Sequence, residues 1–90
     1  MANGLLDARF VSCGQISGIE SIFEWEGERR GVKEWLLTVK TDKRLYGECE
    51  AFIKKRHSYK VPQIIAVDVV CASGEYAEWV KDCVISTEEA

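Results

Sequence analysis

Between Ile19 and Glu26 apolar and polar residues alternate with a period of two. Ile19, Ser21, Phe23 and Trp25 share one face, and Glu20, Glu24 and Glu26 share the other with Ile22. That period marks a β-strand wetted on one side. The extended pattern begins at Phe10, and Gly14 and Gly18 interrupt its first half, where a bend or bulge is expected. Glu26-Gly27-Glu28-Arg29-Arg30-Gly31 reads as a charged turn with two glycines. Val32–Lys40 resumes the strand pattern with Trp35, Leu37 and Val39 on one face, so the two runs predict a long β-hairpin.

At Thr41 and Asp42 the chain offers an N-cap, and the period turns helical. Leu45, Cys49, Phe52, Ile53 and Arg56 form one apolar stripe ending in a charge. Lys54, Lys55 and Arg56 fall in the last turn, where cations suit the negative end of the helix dipole. Val61-Pro62 ends that helix, because the residue before proline is pushed toward extended geometry. Gln63–Val70 is rich in Ile and Val and mostly apolar on both faces, which predicts a central or covered strand. Ser73 caps a final helix carrying Tyr76, Trp79, Val80, Cys83 and Val84 on one side. The opening residues, Met1 to Arg9, read as the last turns of a helix, and Ser86 to Ala90 as a polar, frayed end. The expected order is therefore helix, strand, strand, helix, strand, helix: an α+β fold.

Ninety residues hold one small domain. A composition 47% hydrophobic and 30% charged excludes a disordered or collagen-like chain. The net charge of -3 gives no general attraction to nucleic acid or anionic lipid. No apolar stretch is long enough to span a bilayer, and Met1 to Asp7 carry no export-signal pattern, so the cytoplasm is the expected compartment. Cys13, Cys49, Cys71 and Cys83 are irregularly spaced without a CxxC pair, and they read as buried free thiols rather than as a zinc site or disulfides.

Candidate chemistry is sparse. His57, the single histidine, follows a helix in Arg56-His57-Ser58-Tyr59-Lys60-Val61-Pro62. It suits a metal or a proton transfer, or a helix C-terminus favoured by the dipole. Cys13 is a soft metal ligand or a small core residue. The Lys54–Lys60 segment mixes cations with an aromatic, as single-stranded nucleic-acid surfaces do, but the net charge of -3 favours a solvated helix end whose charges answer the dipole. Phe23 and Trp25 lie among glutamates near the hairpin tip, where aromatics of that kind point to subunit contact. There is no Ser-His-Asp set, no phosphate-cradling glycine loop and no two-histidine motif, so nothing local argues for an enzyme.

Three segments together resemble the divalent-cation tolerance protein CutA family. They are Leu5-Leu6-Asp7-Ala8-Arg9-Phe10-Val11-Ser12-Cys13; Ser21-Ile22-Phe23-Glu24-Trp25-Glu26-Gly27 with Trp35-Leu36-Leu37-Thr38-Val39-Lys40-Thr41; and His57-Ser58-Tyr59-Lys60-Val61-Pro62-Gln63-Ile64-Ile65-Ala66. Tyr76 and Trp79 match a downstream Y-x-x-W. Ser58 stands where the family has proline, and Lys60 and Gln63 where it has acidic residues.

The resemblance implies a single ferredoxin-like, PII-like domain over residues 1–90, with an antiparallel sheet and helices on one face. It implies a homotrimer without catalytic activity, linked to metal tolerance or small-molecule signalling. The family's first strand and most of its first helix have no counterpart here. That strand would lie between Val32–Lys40 and Gln63–Val70, which would then pair directly in parallel or be bridged by a neighbouring chain. The matching site residues are His57 and Cys13 as metal ligands, with Trp25, Lys40 and Tyr59 lining a pocket between subunits. Phe23, Trp25 and Trp35 are the expected oligomer contacts. Lys40 would repel a cation, so copper or another divalent ion is expected to bind weakly and through His57. Mg²⁺ and Ca²⁺ find no oxygen cage. The competing reading is a single-stranded nucleic-acid module using Lys54–Lys60.

Overall fold

The computed structural model describes residues 1–86; the rest of the polar end expected to fray lies outside the described residues. The frame is one hairpin. Strand β1 (Cys13–Trp25) pairs antiparallel with β2 (Glu28–Lys40), from Cys13 opposite Lys40 to Trp25 opposite Glu28. The register is unbroken, so the bulge expected at Gly14 or Gly18 does not form. Both positions instead make room for neighbours: a Cβ on Gly14 would lie 3.3 Å from the Ala2 methyl, and one on Gly18 3.4 Å from the Trp35 ring. The turn is also tighter than the six charged residues suggested. Only Glu26 and Gly27 form the loop, with φ of 52° and 79°. Positive φ at both central residues is what a type I′ hairpin turn requires.

Helix α1 (Ala2–Asp7) ends as expected of the first residues, in a left-handed cap at Arg9, φ 60°. Arg9 N–H donates to the Leu6 carbonyl at 3.0 Å and Phe10 N–H to the Leu5 carbonyl at 3.1 Å, the Schellman pattern. Helix α2 (Tyr46–Arg56) is entered through a 3₁₀ turn, Lys43–Leu45, whose cap is Asp42. The Asp42 carboxylate accepts from the Arg44 backbone N–H and guanidinium, both at 2.9 Å. Those bonds, side chain first, pull its pKa from 3.8 down to about 2.

The helical stripe read from the sequence is the one that packs. Leu5, Val11 and Cys49 are buried together, with Phe10, Leu37, Val39, Phe52 and Ile53 against them. Gly4 brings α1 onto Phe52, since a Cβ there would sit 2.6 Å from the ring's Cζ. The core therefore lies at the base of the hairpin, near the β1 start and the β2 end.

Helix α3 (Gly74–Cys83) starts at Ser73, whose Oγ accepts from Tyr76 N–H at 3.2 Å. Its far end is held by Arg9, which donates to the Cys83 and Asp82 carbonyls at 3.3 and 3.4 Å, a cation at a helix C-terminus. Of the stripe assigned to this helix only Val84, just past its end, is buried; Tyr76 and Trp79 stay exposed.

The expected strand at Gln63–Val70 is the main correction. Residues 62–73 join no sheet, and the described sheet has two strands. Val67 and Val70 are 85% and 92% exposed, and the run neither is covered nor pairs with β2. Aliphatic residues on both faces specify the surroundings a segment suits, but a strand exists only where a neighbour supplies hydrogen bonds. All four cysteines are free as expected, but only Cys49 is buried: Cys13 and Cys83 are half-buried, and Cys71 is exposed because it follows the run that joins no sheet. No helix among the described residues is long and apolar enough to cross a membrane.

Candidate functional site at the middle of the hairpin

His57 ends α2, its N–H still bonded to the Ile53 carbonyl at 2.9 Å while its own backbone is extended. The chain then turns tightly, and Tyr59 N–H donates to His57 Nδ1 at 3.0 Å. The two rings stand 4.8 Å apart, tilted by 56°. Tyr59 Oη donates to Glu34 Oε2 at 3.0 Å, which fastens this turn to β2. The Glu34 carboxylate beside it raises the Tyr59 pKa. Lys33, Glu34, Trp35, His57, Ser58 and Tyr59 line an open hollow of about 260 Å³. A second shallow hollow of about 480 Å³ shares Lys33–Trp35 and is completed by Gly18, Ile19 and Glu20.

Because Nδ1 accepts a backbone hydrogen bond, the neutral imidazole carries its hydrogen on Nε2. Nε2 is then a donor. In a hollow that Lys33 and Trp35 also line, it suits a ligand that accepts hydrogen bonds, such as an anion or a carbonyl on a planar ring. A metal would have to displace the Tyr59 N–H from Nδ1 or force the hydrogen off Nε2. Among the described residues no group of three or more His, Cys, Asp or Glu could hold a metal ion.

The residues singled out from the sequence fall at three stations along the hairpin. Cys13 lies at the base, opposite Lys40, with its Sγ 4.0 Å from Tyr76 Oη. Burial and this thiol raise the Tyr76 pKa. Lys40 Nζ donates to Gln15 Oε1 at 2.8 Å. His57, Tyr59 and Trp35 occupy the middle; Trp35 is 79% exposed. Phe23 and Trp25 occupy the tip, opposite Arg30 and Glu28, and are 40% and 50% exposed. At the rise of a strand, Lys40 is about 17 Å from Trp35 along β2, and Trp25 about 24 Å from Gly18, the residue opposite Trp35. One chain thus brings His57 and Tyr59 together, but neither Cys13 nor Lys40 nor Trp25 with them.

Glu34 and Lys33 were not evident from the sequence, where they are two charges on a strand; only the return of Tyr59 to β2 marks them. The basic segment is partly spent within its own helix. Lys54 pairs with Glu50 at 2.7 Å, raising the Lys54 pKa and lowering that of Glu50. The Arg56 guanidinium lies 3.6 Å over the Phe52 ring.

Comparison with known proteins agrees with this architecture. The profile of the family described as CutA1 divalent ion tolerance protein matches residues 1–83. A probable divalent-cation tolerance protein of Encephalitozoon cuniculi is 35% identical over 96% of this chain and 75% of its own length. The chloroplastic CutA of Arabidopsis thaliana is 35% identical over 91% of this chain, which spans 46%, about half, of that relative. The solved CutA of Archaeoglobus fulgidus superposes with a TM-score of 0.91 at 31% identity, covering 93% of this chain and 82% of that one. A PII-like CutA of Nostoc, at 24% identity and a TM-score of 0.88, shares the fold. From its profile match, its identity to these relatives and its PII-like α+β fold, the chain belongs to the CutA1 divalent ion tolerance family.

Proposed function

We propose that this chain acts as a non-catalytic homotrimer in the response to divalent metal ions, with a PII-like ligand site where subunits meet. The observation that carries the reading is the bare hairpin. Trp35, Ile22, Ile16 and Trp25 are 79%, 69%, 65% and 50% exposed, while the core is confined to the base. An apolar surface on that scale in so small a domain favours association. Association also supplies what one chain lacks, since a neighbouring hairpin can bring Trp25, Cys13 or Lys40 beside His57 and Tyr59.

The ligand we favour for that site is an anion or a carbonyl-bearing ring, held by His57 Nε2–H, Lys33 and Trp35. Copper binds weakly and through His57, against the Tyr59 hydrogen bond that engages Nδ1. The compartment of this proposal is the cytoplasm, although the Arabidopsis relative is named as chloroplastic and the A. fulgidus protein as periplasmic. Nucleic-acid binding by Lys54–Lys60 draws no support, because Lys54 and Arg56 already have partners in α2.

Sedimentation equilibrium is expected to give three times the 10.2 kDa chain mass. A stable monomer at micromolar concentration overturns the assembly. Titration calorimetry with Cu²⁺ is expected to show weak binding that His57→Ala abolishes. Tight copper binding that survives the substitution sinks the His57 assignment.

A further inference from the structure

Two polar atoms in the hollow beside β2 have no partner among the described residues. His57 Nε2–H is one, since Nδ1 already accepts from Tyr59 N–H. Glu34 Oε1 is the other, since Tyr59 Oη donates to Oε2. Tyr59 thus holds both side chains, and both line the same space of about 260 Å³, where they offer a ligand one donor and one acceptor. Trp35 supplies a wall. It is 79% exposed, and a Cβ on Gly18, the residue opposite, would lie 3.4 Å from its ring. The indole therefore lies across a bare stretch of β1 and keeps most of its surface in water, a platform on which a planar ring can stack.

Charge decides between an anion and a neutral ring. Lys33 brings one cation and Glu34 one carboxylate, and Glu20 stands opposite Lys33 across the hairpin. An anion set against His57 would meet two carboxylates for one ammonium and gain no net attraction. A neutral ring that carries a carbonyl and an adjacent N–H meets no such opposition. Its carbonyl accepts from His57 Nε2–H, and its N–H donates to Glu34 Oε1. An ordinary peptide group is trans and sends its N–H and C=O to opposite sides, whereas an amide inside a six-membered ring presents both on one edge. We propose that this hollow selects a planar cyclic amide, of the pyridone or pyrimidinedione class, with its ring stacked on Trp35. This choice rests on the reading of the hollow as a ligand site, and it names what that site prefers.

Binding is read from the Trp35 indole and the Glu34 and Tyr59 amide resonances of the full chain, titrated with 2-pyridone, N-methyl-2-pyridone and benzoate at millimolar concentration. 2-Pyridone is expected to shift all three resonances. The N-methyl compound keeps the ring and carbonyl but has no N–H, and it is expected to bind about fivefold more weakly, because Glu34 Oε1 is then left unpaired. Benzoate is expected to bind more weakly than 2-pyridone. Glu34→Gln keeps an oxygen for Tyr59 Oη but turns the free acceptor into a donor and removes a negative charge. It is expected to weaken 2-pyridone about fivefold and to strengthen benzoate. A variant that loses both ligands together would show that Glu34 only holds the turn, which overturns its role as acceptor. Equal binding of the two pyridones, or tighter binding of benzoate than of 2-pyridone, overturns the cyclic amide while the hollow remains a ligand site. No shift with any of the three compounds strikes the ligand site itself.

Discussion

Gly4 sits mid-helix in α1, where alanine is ordinarily favoured by about 1 kcal/mol. Here the contact with Phe52 reverses the sign. The ring cannot swing freely, because Phe10 meets it edge-on at a centroid distance of 6.3 Å and Arg56 lies over its face. Gly4→Ala is expected to destabilise by about 1–2 kcal/mol, the usual cost of overpacking, read as a lowered thermal midpoint. A raised midpoint would mean that Phe52 has room to move. Asp42 is legible in the sequence as a cap, but its pH dependence is not. Its pKa of about 2 in the folded chain lies below the ordinary 3.8, so its stabilisation is present above about pH 4 and fades as pH falls toward 2. The difference in urea midpoint between the native chain and Asp42→Asn is expected to be clear at neutral pH and to shrink by about pH 2.5. His57 and Tyr59 were readable as a motif; that His57 Nδ1 accepts and Tyr59 reaches Glu34 was not, because both depend on where β2 passes.

At the scale of elements, the hairpin, α2 and α3 follow from period and capping residues. Ser73 shows how local that control is. Its hydroxyl holds Tyr76 N–H, and α3 buries none of its own residues. Ser73→Ala is therefore expected to cost about 1 kcal/mol and to fray α3 alone, seen as faster amide exchange in residues 74–77 with the hairpin unaffected. Equal acceleration in β1 and β2 would show that α3 is coupled to the sheet. The turn length and the missing bulge escaped the sequence for a different reason. Arg29–Gly31 look like loop residues, yet a two-residue I′ turn matches the twist of the strands and carries pairing up to Trp25 and Glu28. Residues 63–70 have the residues of a strand and lack its neighbours.

Across the whole molecule, the distribution of apolar residues is lopsided. A small cluster closes the base of the hairpin, while the middle and tip keep aromatic and aliphatic side chains in water. Replacing Phe23 and Trp25 together by serine should therefore leave the single chain's fold intact, since neither residue belongs to the core. The same pair should weaken assembly, read as a fall in sedimenting mass at a given concentration. Loss of circular dichroism in this variant would show that the tip aromatics stabilise the subunit itself. An assembly that sediments unchanged would remove them from the interface.

The sequence by itself determined what is local. Period two made the hairpin, period 3.6 placed Leu45, Cys49, Phe52 and Ile53 on one inward stripe, buried at Leu45 and Cys49 and half-buried at Phe52 and Ile53, and Asp42 and Ser73 set where helices begin. These outcomes depend on backbone geometry and on neighbours a few residues away. Tertiary structure decided what depends on distant partners. It joined His57-Ser58-Tyr59 to Glu34, separated Cys13 and Lys40 from them along the hairpin, locked Arg9 to the end of α3, and left residues 63–70 unpaired. A residue's type fixes the bonds it can make, and only the fold fixes which partner comes within reach of them.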